Sequence, residues 1–427
     1  MNKPIFALID CNNFFVSCEK IFRPDLEGKP VLVLSSNDGC AIARSNEAKV
    51  LGIPMAAPVF KYRDVIRNNN VVQFSANFEL YGDISKRIVD VLNTITPRIE
   101  VYSVDESFLD LSELPIDDFV AWGHTVRKLI QRWVGVPVSI GIAPSKALAK
   151  LASDRGKKIP ELNGVCSFIG PNSEVPVDHM RVMPVQDIWG IGWRLAPKLR
   201  AEGIITAWEF AQMRPQHAGS IMGIQGRQLI AELNGTSCWP LERIGKIRKS
   251  IMSTRTFGED THDFNVVEAA IASFSANAAF KLRRSHQLTT KATIFVTTDK
   301  HKPGYQRWGQ EVRFDIPTAD TGILASTLVG ALQEIYRPQV AYHRAGVMLY
   351  DFVPDSQLQT DIFGKVDIKL HDGGRARMEA MDAVNQRFGK RKLMFAAEEL
   401  AAKWQPKHNL RSPRYVSHWD ELPVIKS

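Results

Sequence analysis

Residues 5–9, Ile-Phe-Ala-Leu-Ile, form a continuous apolar run that ends on Asp10. Such a run reads as a strand buried on both faces, and the acid at its end is delivered to the edge of a sheet. The next elements narrow the fold. Leu80, Ile84, Ile88, Val91 and Leu92 recur at helical spacing and predict a helix over 79–92, stopped before Pro97. Alternation in 99–103 and 107–111 predicts a hairpin with Val104-Asp105-Glu106 at its bend. An amphipathic helix over 119–133 and a strand over 138–142 complete the series, the strand passing through Ala143-Pro144 into a helix from Ser145. Strand, helix, hairpin, helix, strand is the split βαβ order of a ferredoxin-like sheet. Residues 12–77 are inserted after the first strand, with a short strand at 31–34 and a helix over 45–51 closed by Gly52 and Pro54.

At 427 residues the chain exceeds what one core organises, so several domains are expected. Residues 166–240 read as helical and glycine-punctuated, 241–250 as a basic linker, and 251–353 as a further α+β unit. The net charge of +8 is unevenly spread, because residues 241–313 hold 13 Lys and Arg against 7 Asp and Glu. A localised basic surface suits a polyanionic partner. No apolar run approaches the ~20 residues of a membrane helix, so no membrane association is expected. Nothing at the N-terminus resembles a secretory signal. The five cysteines lack any Cys-x-x-Cys pair, which argues against a zinc or disulfide framework and for the cytosol.

A split βαβ sheet sets strand one beside the hairpin, so Asp10, Asp105 and Glu106 meet at one edge. Three acids there cannot all stay ionised without cations, and oxygen donors of this kind suit Mg²⁺. Two ions would support in-line phosphoryl displacement. Adjacent residues of an ideal strand face opposite ways, so Asp105 and Glu106 share a site only if the backbone turns between them. On spacing alone, a capping Asp10 and a solvated hairpin tip are the favoured reading.

The wording of three blocks is more specific. Residues 10–19 (DCNNFFVSCE), 102–108 (YSVDESF) and 139–153 (SIGIAPSKALAKLAS) resemble the signature blocks of the Y-family translesion DNA polymerases. Residues 36–44 (SNDGCAIAR), 188–192 (IWGIG) and 410–415 (LRSPRY) extend the resemblance to the UmuC branch, the catalytic subunit of bacterial DNA polymerase V, over nearly the whole chain. The resemblance implies an α+β multidomain fold with a ferredoxin-like palm (1–11 and 78–165), inserted fingers (12–77), a helical thumb with a helix-hairpin-helix (166–240), a linker (241–250), an α+β little finger (251–353) and a C-terminal clamp- and partner-binding tail (354–427). It implies error-prone, template-directed addition of dNTPs to a primer 3′-OH, with bypass of damaged bases in the SOS response of a bacterial cytoplasm, near the nucleoid. No separate exonuclease-like acidic cluster is present, so proofreading is not expected.

Carried over residue by residue, the resemblance makes Asp10, Asp105 and Glu106 the catalytic carboxylates and, with the carbonyl of Cys11, the ligands of two Mg²⁺ ions. Phe15 falls at the steric-gate position, where its ring excludes a ribose 2′-OH. The amides of Asn13 and Phe14 would hold phosphate oxygens. Asn46, Lys49 and Lys157 stand where the family grips the triphosphate; Asn46 replaces a Tyr, and Arg44 can supply charge there. Gly39, Cys40, Ala41 and Ile42 would roof the nascent pair loosely. Gly190 and Gly192 resemble a helix-hairpin-helix turn on a DNA phosphate. Lys146, Arg255, Lys281, Arg283, Arg284 and Lys291 are the expected DNA contacts, with Lys246, Arg248 and Lys249 in the linker. Gln359, Ile362 and Phe363 have the form of a sliding-clamp peptide, and the tail implies a UmuD-type accessory protein and a recombinase filament. Two other classes fit parts of the sequence: a nucleotide cyclase on the same palm, and a non-catalytic DNA-binding scaffold. The turn at Gly190 and the basic domain count against the first, and the intact acids against the second.

Overall fold

The computed structural model describes residues 4–169, 177–242, 247–356, 368–389, 391–398 and 404–423. The chain forms two units by its contacts, one of Met1–Ser35, Gly39–Gly245 and Leu410–Ser427, the other of Ser36–Asp38 and Lys246–Asn409. Lys246 and the clamp-like Gln359, Ile362 and Phe363 lie outside the described residues. No described helix is long and apolar enough to cross a membrane.

In the first unit the elements run β1 (Phe6–Cys11), α1 (Phe14–Phe22), β2 (Val31–Leu34), β3 (Ala41–Arg44), α2 (Asn46–Val50), α3 (Arg63–Asn68), β4 (Val72–Ser75), α4 (Phe78–Asn93), β5 (Ile99–Val101), β6 (Glu106–Asp110), α5 (Phe119–Val134), β7 (Val138–Ala143), α6 (Lys146–Lys158) and β8 (Val165–Ser167). Five short helices follow: α7 (Val177–Val182), α8 (Ala196–Ala201), α9 (Ala207–Ala211), α10 (Pro215–Met222) and α11 (Ile224–Leu233). One sheet has the order β5-β6-β1-β7-β8, and a smaller one β3-β2-β4. Strand β1 therefore lies beside the hairpin, antiparallel to β6 and to β7. Strand β8 pairs in parallel with β7, so the sheet runs past residue 165 into the stretch read from sequence as helical.

Local chemistry sets the ends of these elements. Asp118 caps α5 by accepting from the Val120 and Ala121 amides, and Gly135 ends it at φ 85°. Ser145 caps α6 by accepting from the Leu148 amide. Gly141 of β7 has the larger consequence. A Cβ there would sit 2.1 Å from the Ala149 carbonyl oxygen and 2.2 Å from the Ser153 nitrogen. Glycine alone lets the α6 backbone lie directly on the strand, which carries the lysines of α6 toward the sheet edge.

Helix α11 is fastened to α6 through one buried acid. Glu232 is fully buried, its Oε2 accepting from the Ala147 amide (3.0 Å) and its Oε1 from the Cys238 (2.6 Å) and Trp239 (3.1 Å) amides. Glu232→Ala would orphan three amide donors, so it is expected to lower the first unit's unfolding free energy by about 3–5 kcal/mol. The urea midpoint of the full chain reads this directly.

The second unit contains β9 (Ser250–Thr261), α12 (Phe264–Arg284), β10 (Gln287–Thr297), β11 (Arg307–Thr318), α13 (Thr321–Ile335), β12 (Tyr342–Pro354) and α14 (Ile368–Phe388). Its sheet has the order β11-β10-β12-β9. Ala292, Ile294, Val296, Ala345, Val347 and Leu349 pack with residues of α12 and α13 such as Phe274, Leu328 and Leu332. The period of two then sends Lys291, Thr293, Arg313, Arg344 and Tyr350 to the face opposite these helices.

Candidate active site

The β1–β6 register sets Asp10 opposite Glu106. Asp105 lies in the bend just before β6, where the backbone does turn. The Tyr102 and Ser103 amides both donate to the Glu106 carbonyl, and Ser103 Oγ accepts from the Asp105 and Glu106 amides while donating to Asp105 Oδ1 at 2.5 Å. The Cys11 amide donates to the Asp105 carbonyl (2.9 Å), which pins the bend to the end of β1. The geometric condition for one shared edge is thus met.

Each strand-borne carboxylate meets a lysine of α6. Lys157 Nζ lies 2.5 Å from Asp10 Oδ2, and Lys150 Nζ lies 2.7 and 2.8 Å from the two oxygens of Glu106. Burial is the main force raising the Asp10 carboxyl from 3.8 to about 6; Lys157 opposes it, while Glu106 and Asp105 add to it. The folded chain therefore binds this proton more tightly than the unfolded one, and ionising Asp10 costs stability as pH rises from 3.8 to about 6. A cation beside it offsets that cost. Burial, then the same acids, also pushes the Cys11 thiol up, so it stays neutral and only its carbonyl is available as a donor.

An all-oxygen donor set with ammonium groups already seated on two of its members fits a hard divalent cation in chemistry. Among the described residues no three His, Cys, Asp or Glu side chains converge as a ready-made metal site. Each acid is held separately, by Lys157, by Lys150 or by Ser103. The missed residue here is Lys150. Its signal was in the sequence, since 146, 150 and 157 share one face of α6 at spacings of four and seven.

Asn13 has φ 48° and precedes α1. Its Nδ2 donates to Asn46 Oδ1 (3.0 Å), and Lys49 Nζ donates to Asn13 Oδ1 (2.6 Å) and Asn46 Oδ1 (3.3 Å). The Lys49 ammonium is driven below its ordinary value by burial, then by Arg44 and Lys157. Of these cations Lys49 bonds to Asn13 at the start of α1, Arg44 donates to the Ile53 carbonyl (2.5 Å), and Lys157 is paired with Asp10. Asn46 Oδ1 thus accepts from both Asn13 and Lys49. Of the two phenylalanines, Phe14 is buried in the core. Phe15 is half-buried, stacked on Tyr81 at 4.5 Å and 16°, with Phe78 edge-on at 5.8 Å.

Other expected contacts divide. Lys146 is 2% exposed, paired with Glu100 and donating to the Pro240 carbonyl at 2.8 Å, so it is structural and does not reach a ligand. Arg283 is also a correction. It forms a forked pair with Asp382 of α14 (2.7 Å twice) and donates to the Ala319 carbonyl and Thr321 Oγ1. Lys281 and Arg284 sit on the helix layer of the second unit, Arg284 over the Phe280 ring. Lys291 lies on the strand face opposite the helices, beside Asp351, and Arg255 is exposed on the edge strand β9 in register with Ala345. Arg248 and Lys249 are exposed too. The sequence reading missed Arg307, Arg313 and Arg344, exposed residues of β11 and β12. Alternation with Trp308, Val312 and Phe314 was their signal. Gly190 has φ 90°, and the Gly192 carbonyl accepts from the Leu195 and Ala196 amides, which starts α8.

Three family models match: the impB/mucB/samB family over residues 9–154, its C-terminal domain over 248–362, and a domain of unknown function over 376–425. Protein UmuC of Salmonella typhimurium strain LT2 is 36% identical over 426 residues, covering 99% of this chain and 100% of that protein. Protein ImpB of Salmonella typhimurium is 36% identical over 428 residues, with 99% and 100% covered. DNA polymerase IV 1 of Bacillus subtilis is 29% identical over 67% of this chain and 69% of that protein. Among solved structures, a Y-family DNA polymerase chimera of Dbh and Dpo4 aligns with TM-score 0.64 at 23% identity over 82% of this chain and 99% of that one. An insertion ternary complex of Dbh DNA polymerase aligns with TM-score 0.55 at 22% identity over 82% and 99%. These structures share the fold, and the whole-chain identity to UmuC and ImpB carries the lineage: the chain belongs to the impB/mucB/samB family, as a UmuC-type Y-family DNA polymerase.

Proposed function

We propose that the chain adds dNTPs to a primer 3′-OH at the carboxylate edge of its five-stranded sheet, in error-prone synthesis past damaged bases during the SOS response. The observation that carries this reading is the in-register pair Asp10 and Glu106, with Asp105 pinned beside them, and Lys49 at the start of α1. The primer oxygen forms a bond to the α-phosphorus, the α–β bridging P–O bond breaks, and pyrophosphate leaves. Asp10, Asp105, Glu106 and the Cys11 carbonyl would hold two Mg²⁺ ions, which when bound lower the charge cost of the attacking and leaving oxygens. Arg44, Lys49 and Lys157 neutralise the triphosphate, and the α1 amides at Asn13 and Phe14 orient it. Phe15 bounds the sugar.

DNA contact in the second unit is assigned to the strand face opposite the helices, through Lys291, Arg307, Arg313 and Arg344; Arg255, in register with Ala345, lies on the helix side of the edge strand. Arg307 also stacks over Phe295 at 4.7 Å, which fixes its guanidinium over that face. Replacing Arg307, Arg313 or Arg344 with Ala is expected to reduce the salt slope of primer-template binding by ~0.9 each, whereas Arg284→Ala leaves it unchanged. Fluorescence anisotropy across a salt series reads both. The same reading includes a sliding clamp, a UmuD-type accessory protein and a recombinase filament as partners.

Primer extension across an abasic site, with and without a clamp and a UmuD-type protein, tests the function. Extension past the site without 3′-end removal is expected. Failure to add any templated nucleotide under every combination would refute it.

A further inference from the structure

The segment from Leu410 to Tyr415 falls within the domain of unknown function, and in the first unit it lies along β4 and the start of α4. The Ser75 amide donates to the Leu410 carbonyl (3.0 Å) and the Leu410 amide to Ser75 Oγ (2.9 Å), so the segment continues the edge of β4. Asn77, fully buried, is the cap of α4, its Oδ1 accepting from the Leu80 amide. Its Nδ2 lies 3.0 Å from Ser412 Oγ, 3.4 Å from the Ser412 carbonyl and 3.3 Å from the Pro413 carbonyl. Arg411 Nη2 donates to Asn77 Oδ1 (3.2 Å) and to Glu79 Oε2 (2.8 Å). Tyr415 stacks on Phe22 at 4.5 Å and 8°.

These contacts converge on one group. Glu19 is fully buried, and its Oε1 accepts from Ser412 Oγ (3.1 Å) and from Tyr81 Oη (2.7 Å). Among the described residues its Oε2 has no hydrogen-bond partner. Burial raises the Glu19 carboxyl above its ordinary value, and the hydrogen bonds from Tyr81 and Ser412 oppose that rise. Tyr81 in turn is the ring on which Phe15 stacks. The tail thus grips both ends of the wall behind Phe15: the start of α4 through Asn77 and Glu79, and the Tyr81 hydroxyl through Glu19.

We infer that Ser412 and its neighbours in the tail position the Tyr81–Phe15 wall and so set how strictly the pocket distinguishes deoxyribose from ribose. The inference rests on Phe15 as the sugar-excluding ring. Ser412 touches no substrate; it acts as a positioning residue through Glu19 and Tyr81. A ring displaced by a fraction of an ångström relaxes exclusion while the carboxylates and cations stay in place.

The test is single-nucleotide incorporation by the full-length chain, with its accessory proteins, comparing kcat/KM for a ribonucleotide with that for the matching deoxyribonucleotide. Ser412→Ala is expected to raise this ratio ~3- to 10-fold, with deoxyribonucleotide kcat within ~2-fold. Ser412→Thr, which keeps the hydroxyl, should retain the wild-type ratio. Tyr81→Phe removes the link to Glu19, keeps the stack, and should reproduce Ser412→Ala; it decides the matter if the serine variant is unstable. An unchanged ratio in these variants, with a raised ratio in Phe15→Ala, overturns the inference alone. An unchanged ratio in Phe15→Ala as well overturns the assignment of the gate and the inference with it.

Discussion

Asp105→Ala is expected to slow templated nucleotide addition about a thousandfold or more while primer-template affinity stays within about twofold of wild type. The separation follows from how Asp105 is held. Its backbone carbonyl, not its side chain, receives the Cys11 amide, so the bend stays tied to β1 when the carboxylate is removed. Ser103 Oγ keeps its bonds from the 105 and 106 amides and loses only its acceptor on Asp105. What disappears is one negative charge beside Asp10 and Glu106. One of the influences raising Asp10 also disappears, so its carboxyl should shift back toward its ordinary value. Pre-steady-state incorporation and equilibrium DNA binding, measured on the same variant, give the two halves of the result. A comparable loss in both would mean that the acid supports folding or DNA binding instead of chemistry.

Phe15→Ala is expected to raise ribonucleotide use relative to deoxyribonucleotide use by between about ten- and two-hundredfold. The ring is half-buried and sandwiched by Tyr81 and Phe78, so it cannot swing aside for a 2′-OH without breaking two aromatic contacts. Phe14 gives the contrasting outcome. It belongs to the core, so Phe14→Ala should cost about 3–5 kcal/mol of stability and leave sugar preference unchanged in the folded fraction. Incorporation from mixed pools, scored by alkaline cleavage at ribonucleotides, separates the two. Equal sugar preference in Phe15→Ala and wild type would move the gate elsewhere.

The carboxylate edge was legible in the sequence because strand period and split βαβ order are local patterns with one topological solution. Asp10 faces Glu106 for the reason that β1 must lie between β6 and β7. The demand for a turn at Asp105 was also readable, since neighbouring strand residues otherwise diverge. Charges on α12 and α6 were harder. Nothing near Arg283 in sequence reveals that Asp382, 99 positions on, will claim it. Lys146 and Lys150 differ by one helical turn, yet the first is buried on Glu100 and the second reaches Glu106, which depends on how closely Gly141 lets α6 approach β7. The tail was least legible. Residues 410–415 read as a family block with no local pattern, and their role depends on partners over 330 positions away, such as Ser75 and Asn77. Composition pointed to a basic surface without saying which side of the second unit's sheet the helices would cover.

Polymerase chemistry at the β1–β6 edge is tested most directly by single-nucleotide incorporation with the isosteric variant Glu106→Gln, in Mg²⁺ and after chelation. Glu106→Gln keeps shape, and Lys150 keeps a hydrogen-bond acceptor, while one negative charge is lost. Templated incorporation by wild type that chelation abolishes and Mg²⁺ restores is expected, with incorporation by Glu106→Gln reduced about a thousandfold at every Mg²⁺ concentration. Wild-type incorporation undiminished by chelation, or a Glu106→Gln rate equal to wild type, would contradict polymerase chemistry at this edge.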